Sequence, residues 1–231
     1  DVRMEEIVNI LKENDLIKTI VLNLNLSKTN EILGKDEKII YGNGYITDYI
    51  GKYRYYISSK SFFQVNTIQA EVLYNILKEK LKLKGNEILF DLYSGVGSIG
   101  IFLSDSVKQV YGIEIEKQAV KMANMNLTLN HVSNAEYIAG SVEDKIVEFE
   151  KRNIKPDIIV VDPPRKGLDL ESIEYIIKFR PKKIGYVSCN PATFARDLKL
   201  LSQYYETNVI TPVDLFPNSE HIECVTVLNL K

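Results

Sequence analysis

The chain has 231 residues, 45% hydrophobic and 26% charged, and its 29 basic and 31 acidic side chains give a formal net charge of −2. That composition predicts a compact soluble protein with a buried core, one α/β domain plus a small appendage. No apolar run reaches the roughly 18 residues of a membrane span, so secretion and membrane insertion are not expected, and two cysteines outside any CxxC pair exclude a disulfide scaffold.

The chain opens at Asp1 without an initiator methionine, which suggests a piece of a longer protein. A short amphipathic helix carrying Met4, Ile7, Val8 and Leu11 is predicted first, then β-type runs at Ile17–Leu26, Lys38–Tyr41 and Tyr45–Ile57. A helix over Ile68–Leu81 follows, with Asn66 or Thr67 placed to cap it. From Leu83 onward apolar runs alternate with helical stretches, the pattern of βαβ units and a mainly parallel sheet. Strands are expected at Glu87–Leu92, Gln109–Ile115, Ala135–Ala139, Asp157–Val161 and Lys183–Ser188. Helices are expected at Ser98–Leu103, Lys117–Asn130, Val142–Lys151, Leu170–Phe179 and Ala192–Leu201. The last runs, Tyr204–Ile210 and Cys224–Leu230, have no helix between them and predict an antiparallel pair closing the sheet.

Asp91-Leu-Tyr93-Ser-Gly95-Val-Gly97-Ser-Ile-Gly100 joins the first core strand to a helix, and Glu114 stands at the end of the second strand. Glycines let backbone approach a ligand, and an acid after the second strand can accept hydrogen bonds from ribose hydroxyls, so this is a nucleotide-cofactor site. A carboxylate such as Asp91 at the mouth of the first strand would repel a pyrophosphate but could pair with the amino group of a methionine moiety, which favours S-adenosylmethionine over a dinucleotide.

Asp162-Pro163-Pro164-Arg165 follows the fourth strand. The residue before proline avoids the helical region, so Asp162 is expected to face the crevice beside the cofactor. Ser188-Cys189-Asn190-Pro191 follows the fifth strand, with Asn190 as N-cap and Pro191 at the first helical position. Cys189 beside a helix N-terminus is a candidate nucleophile with a stabilised thiolate. Glu223 opens the last strand and would converge with Cys189 as a base; His221 is the rival base, and Cys224 reads as core.

These residues together with Ser61-Phe-Phe-Gln64-Val-Asn66, the run Asp162-Pro-Pro-Arg-Lys-Gly and His221-Ile-Glu223 resemble the RNA uracil-5 methyltransferase family, from about Ser61 to the end. The resemblance implies a Rossmann-like α/β methyltransferase fold, with a mainly parallel sheet and an antiparallel last strand. Residues 1–60 would be the end of a central β-rich domain and residues 61–231 the catalytic domain. It further implies that Gln64, Tyr93, Glu114 and Asp162 contact S-adenosylmethionine, that Cys189 is the nucleophile and Glu223 the base, and that the product is 5-methyluridine in RNA of the cytoplasm. Ser98 and Ser141 stand where some relatives use asparagine toward the cofactor, a departure from the pattern. Two cysteines cannot build the four-thiolate iron–sulfur site of some members, so no metal is expected. The Phe-Phe-Gln-Val-Asn and His-Ile-Glu segments resemble the ribosomal members, which favours 23S rRNA over tRNA. Local basic groups for RNA phosphates are Arg165, Lys166, Arg196 and the cluster Lys178, Arg180, Lys182, Lys183.

Competing readings are an exocyclic-amine RNA methyltransferase with a dispensable Cys189, a non-catalytic binding module on the same fold, and an NAD-dependent oxidoreductase. Arg165 weakens the first, because amine methylating enzymes carry a base-stacking aromatic residue at that place.

Overall fold

The computed structural model describes residues 2–26, 28, 32–34 and 36–231. The expected β-rich stretch 1–60 includes residues 1, 27, 29–31 and 35, which lie outside that set. The chain begins with α1 (Val2–Lys12), of which only Val8 among the described side chains is buried. Strands β1 (Ile20–Leu24) and β2 (Asp36–Tyr41) pair antiparallel as a separate ribbon.

The run Tyr45–Ile57, expected as one strand, is a hairpin of β3 (Tyr45–Ile50) and β4 (Tyr53–Ser58). Gly51 takes a left-handed φ of 57° and turns the chain with Lys52. Gly51-Lys52 is the one interruption between two β-prone runs, a Gly-containing two-residue turn of the kind that closes hairpins. Ile50, Tyr53 and Tyr55 pack into the same cluster as Leu73 and Leu77 of α2 (Thr67–Leu81), so the core runs across the expected domain boundary at residue 60. Asn66 caps α2 by accepting the Gln69 N–H at 3.1 Å.

The βαβ succession follows as expected: β5 (Ile88–Leu92), α3 (Ser98–Leu103), β6 (Gln109–Glu114), α4 (Lys117–Leu129), β7 (Ala135–Ala139), α5 (Val142–Lys151), β8 (Ile158–Val161), α6 (Leu170–Phe179), β9 (Lys183–Ser188) and α7 (Pro191–Leu201). After β10 (Tyr205–Glu206) and β11 (Thr211–Val213), β12 (Glu223–Leu230) ends the fold. The sheet order is β10-β12-β9-β8-β5-β6-β7, with β5 to β9 parallel and β12 antiparallel to β9, β10 and β11.

Strand β8 shows why the parallel strands read as unbroken apolar runs. Ile158 and Val160 face one core with α2 and α3, while Ile159 and Val161 face another with α5, α6 and α7. The order reverses beside β5, since β6 lies on one side and β8 on the other. That is the switch point at which open α/β sheets bind ligands outside the carboxyl ends of their strands.

The closing pair differs from expectation. Only Tyr205–Glu206 of the run Tyr204–Ile210 is a strand, and the chain rejoins the sheet at β11 on the other half of β12. The buried Thr226 hydroxyl lies 2.5 Å from that of Thr207 and donates to the Val209 carbonyl at 2.8 Å. It holds the chain where the backbone ladder is interrupted.

Candidate active site

The first loop of the crevice is built by strand ends. Beyond Leu92 the backbone passes through Tyr93, at an unusual φ of 61°, then Gly95 and Gly97, and enters α3. Gly97 has a φ of 81°, and a Cβ there would lie 2.7 Å from the Tyr137 ring, so a side chain is excluded twice over. Glu114 accepts the Gly95 N–H at 3.0 Å and, with its other oxygen, the Glu116 N–H at 2.8 Å. It sits against the loop at the end of β6, where the sequence put it.

Asp91 is 1% exposed, enclosed beneath the loop, and accepts the Gly100 N–H at 3.0 Å. Its first partner is therefore the backbone of the loop rather than an open crevice. Burial pushes its carboxyl up to about 8, against the stabilising Gly100 N–H. The Tyr93 hydroxyl lies 2.9 Å from Ser172 Oγ and donates to Asp169 at 3.4 Å, which ties the loop to the start of α6.

The segment Ser61–Asn66 crosses the same loop: the Phe62 carbonyl is 4.0 Å from the place a Gly95 Cβ would occupy. Gln64 is 4% exposed, and its Oε1 has no hydrogen-bond partner among the described residues. A buried acceptor left open in this way implies a donor from a ligand or water. Ser98 and Ser141, the two departures, have other partners: Ser98 Oγ lies 2.9 Å from the Tyr74 hydroxyl, and Ser141 caps α5 by accepting the Asp144 N–H.

The second half of the crevice comes from β9 and β12. Cys224 pairs with Ser188 in that antiparallel ladder, so the next residue on each strand, Cys189 and Glu223, stand side by side at its open end. Glu223 is 3% exposed, with Oε2 unpartnered among the described residues. Burial and the nearby Asp162 charge push its carboxyl up to about 7, while Arg165 opposes the shift. Asp162 is itself raised to about 6 by burial.

Cys189 corrects the thiolate expectation. Burial first, then the charges of Glu223 and Asp162, push its thiol up, outweighing Arg165 and a backbone hydrogen bond. Helix α7 does start where predicted, with Asn190 accepting the Ala192 N–H at 3.0 Å and Pro191 at its first position. A helix end carries only about half a charge, which burial and two acidic neighbours outweigh. Cys224 is buried core, as expected.

A scaffold that the sequence did not reveal joins the Asp162 loop to the Cys189 loop. Asn190 Nδ2 and Thr193 Oγ1 both donate to the Arg165 carbonyl, at 3.0 and 3.1 Å. Asp197, fully buried, accepts from the Tyr186 hydroxyl at 2.6 Å, from the Leu168 N–H at 2.8 Å and from Arg196 Nε at 2.8 Å. Arg196 also donates to the carbonyls of Lys166 and Leu168. Its guanidinium braces the Asp162–Leu168 loop, where a phosphate ligand was expected. Only the spacing of an Arg-Asp pair within the helix after the cysteine could have hinted at this.

The cluster at 178–183 is also reassigned. Lys178 pairs with Glu150 at 2.7 Å and Lys182 with Asp157 at 2.9 Å, while Lys183 donates to the Leu81 carbonyl. Lys183 begins β9, so these cations occupy the rim opposite Cys189. His221 is exposed, with Nε2 3.1 Å from Arg165 Nη2, whereas Glu223 is the buried group beside the cysteine.

The donor set suits a cationic nucleoside cofactor. The open Gln64 oxygen and the Glu114 carboxylate can take amino and ribose donors, and Asp162 and Glu223 favour positive charge between them. A pyrophosphate would meet like charge there. Among the described residues no group of three or more His, Cys, Asp or Glu side chains is placed to hold a metal ion. No helix of the described residues is long and apolar enough to cross a membrane.

The chain is similar to an uncharacterized RNA methyltransferase of Oceanobacillus iheyensis, 45% identical over 216 residues that make 93% of this chain and 47% of the relative. A Clostridium tetani RNA methyltransferase is 45% identical over 226 residues, 97% of this chain and 49% of its own. The chain thus spans about half the length of the curated relatives it matches. Among solved structures it resembles the Pyrococcus abyssi tRNA (uracil-54, C5)-methyltransferase, determined with S-adenosyl-L-homocysteine. The TM-score is 0.73 and the identity 34%, covering 91% of this chain and 50% of that one. The fold is that of the S-adenosylmethionine-dependent methyltransferases, and the family model for tRNA (uracil-5-)-methyltransferases matches residues 8–231, so the chain belongs to that family.

Proposed function

We propose that this chain carries the catalytic centre of an enzyme that moves a methyl group from S-adenosylmethionine to C5 of a uridine in RNA. The observation that carries the reading is the placement of Cys189 and Glu223 side by side at the open end of the β9–β12 ladder, in the crevice of the glycine loop. Gln64, Tyr93, Glu114 and Asp162 are the proposed cofactor contacts, with Asp91, Gly95 and Gly97 shaping the loop that receives it. The cofactor supplies an electrophilic methyl group on a positive sulfonium.

Uracil C5 is a weak nucleophile. Cys189 adds to C6 and delivers electron density to the ring, and the resulting enolate carbon C5 takes the methyl group. Glu223, whose carboxyl lies near neutrality, then accepts the C5 proton, and elimination expels Cys189 and restores the ring. The thiol must lose its proton before attack. Of the two carboxylates that raise it, Asp162 can accept that proton, which leaves Glu223 unprotonated for the later proton from C5. C5 and C6 of a stacked base are hard to reach, so the uridine is proposed to be flipped or unpaired.

The RNA is proposed to be 23S rRNA of the cytoplasm, on the likeness of the Ser61–Asn66 and His221–Glu223 segments to ribosomal members. The solved relative acts on uracil-54 of tRNA, so both RNAs belong in the test. The protein, wild type and Cys189→Ser, is incubated with S-adenosylmethionine and 5-fluorouridine-substituted 23S rRNA or tRNA. A denaturation-resistant adduct in wild type alone is expected, because fluorine cannot leave C5 as a proton does. Methylation of unsubstituted RNA by the Cys189→Ser variant would overturn the covalent mechanism and restore the exocyclic-amine reading.

A further inference from the structure

Asn126 in the last turn of α4 and Asn130, the residue that caps its carboxyl end, dock the β3–β4 hairpin in the manner of a missing strand. Asn126 Oδ1 accepts the Tyr56 N–H at 2.7 Å and its Nδ2 lies 3.3 Å from the Tyr56 carbonyl. Asn130 repeats the pattern on Arg54, accepting its N–H at 2.8 Å and donating to its carbonyl at 2.6 Å. Residues 54 and 56 present their backbone groups to the same side of β4, and the i, i+4 spacing on the helix places the two amides against them.

The pair is not symmetric. Asn126 is fully buried, and its Nδ2 also donates to the Val96 carbonyl at 3.1 Å. Val96 lies between Gly95 and Gly97, whose φ values of 54° and 81° belong to the left-handed region that glycine adopts without strain. Other loop groups are held from elsewhere: the Gly95 N–H by Glu114, the Gly97 N–H by the Ser94 carbonyl, the Gly97 carbonyl by the Tyr137 hydroxyl and the Gly100 N–H by Asp91. Among the described residues the Val96 carbonyl has Asn126 as its side-chain anchor. Asn130 makes no such contact; beyond the hairpin it donates only to the Asn126 carbonyl of its own helix.

We infer that Asn126 is a positioning residue for cofactor binding, which holds the carbonyl side of the Val96–Gly97 peptide in the glycine loop, opposite the Ser94 carbonyl that holds its N–H, while it fixes the hairpin to α4. The inference rests on the reading of that loop as the S-adenosylmethionine site. The two amides then divide the labour: Asn130 contributes to stability alone, and Asn126 to stability and to the shape of the cofactor pocket.

The test measures S-adenosylhomocysteine affinity by calorimetry, S-adenosylmethionine KM and kcat, and the thermal midpoint for wild type, Asn126→Ala, Asn126→Asp and Asn130→Ala. Asn126→Asp keeps the acceptor for the Tyr56 N–H, loses the donor to both the Tyr56 and Val96 carbonyls and adds a buried carboxyl, so its affinity is read beside its thermal midpoint and compared with Asn126→Ala at equal folded fraction. Both Asn126 variants are expected to weaken S-adenosylhomocysteine binding by about tenfold, the scale of one buried hydrogen bond, and to raise KM more than they lower kcat. Asn130→Ala is expected to lower the midpoint while leaving affinity within about twofold. Equal loss of affinity in Asn126→Asp and Asn130→Ala, or wild-type affinity in Asn126→Asp, would overturn the inference. Absence of S-adenosylhomocysteine binding in the wild type would instead overturn the cofactor reading beneath it.

Discussion

The two rims of the central sheet are made of the same kinds of residue and hold them in opposite states. At the amino-terminal rim Asp157 and Asp105 meet Lys182, Lys52 and Lys78 at 2.8 to 3.1 Å, and these hydrogen bonds and charges hold both carboxyls below the usual range despite some burial. At the carboxyl-terminal rim Asp91, Asp162 and Glu223 are raised to about 8, 6 and 7, each chiefly by burial. Gln64 Oε1 and Glu223 Oε2 there have no partner among the described residues. One rim meets its carboxylates with lysines, and the other buries its carboxylates without a cation in contact among the described residues. Perturbed groups concentrated on one side of a crevice mark the working face of a fold.

Removing the sulfur breaks the working rim most severely. Cys189→Ala is expected to lower methyl transfer by at least about 10⁴-fold, with S-adenosylhomocysteine affinity retained in calorimetry. Normal turnover would remove Cys189 from the chemistry. Glu223→Gln should lower turnover by about 10² to 10⁴-fold and accumulate a methylated protein–RNA adduct, visible by mass spectrometry, because release needs the C5 proton removed. Rapid release by this variant would promote His221.

The same substitution sharpens the contrast in pH. A carboxyl raised from 4.5 to about 7 on folding binds its proton more tightly in the native state, so stability is highest below 4.5 and declines as pH rises to about 7. The lowered carboxyls of the opposite rim act in reverse and weaken the fold only as pH falls below their ordinary range. Glu223→Gln should therefore flatten the decline between these values, by no more than roughly 3 kcal/mol at pH 8. An unchanged urea midpoint profile from pH 5 to 8 would contradict this.

Between the rims stands the scaffold that joins the proline loop to α7. Asp197→Ala leaves the Tyr186 hydroxyl and the Leu168 N–H without their acceptor and is expected to destabilise by about 3 kcal/mol. Tyr186→Phe is milder, at about 1 kcal/mol, and should lower kcat with little change in S-adenosylmethionine KM. Loss confined to KM would place this scaffold on the cofactor side instead. The smallest effect belongs to the lysine-paired rim: Asp105→Asn, whose side chain is 38% exposed, should cost no more than about 1 kcal/mol and leave methyl transfer unaltered.

Much of this was legible in the chain because it depends on neighbours in sequence. The glycine loop with Glu114, the capped start of α7 after Cys189, and the alternation of strands and helices all follow from local spacing, and each element formed within a residue or so of its expected bounds. The hairpin at Gly51 was missed because aromatic and β-branched residues flank the Gly51-Lys52 pair closely on both sides, although that glycine was itself a turn signal. For the Lys178–Lys183 cluster a solvated surface was the more ordinary reading, and the sequence could not show the Glu150 and Asp157 that Lys178 and Lys182 meet.

What the sequence determined alone is the α/β architecture, the residue types available to the crevice and their places at strand ends, since helix and strand periods and caps are local properties. The tertiary structure decided which of them meet. The register of β12 against β9 set Glu223 beside Cys189, burial among carboxylates reversed the direction expected for the thiol, and the packing of α4 and α7 supplied Asn126 and Asp197 as anchors. Register, desolvation and hydrogen bonds between distant segments are sums over contacts that no window of sequence contains.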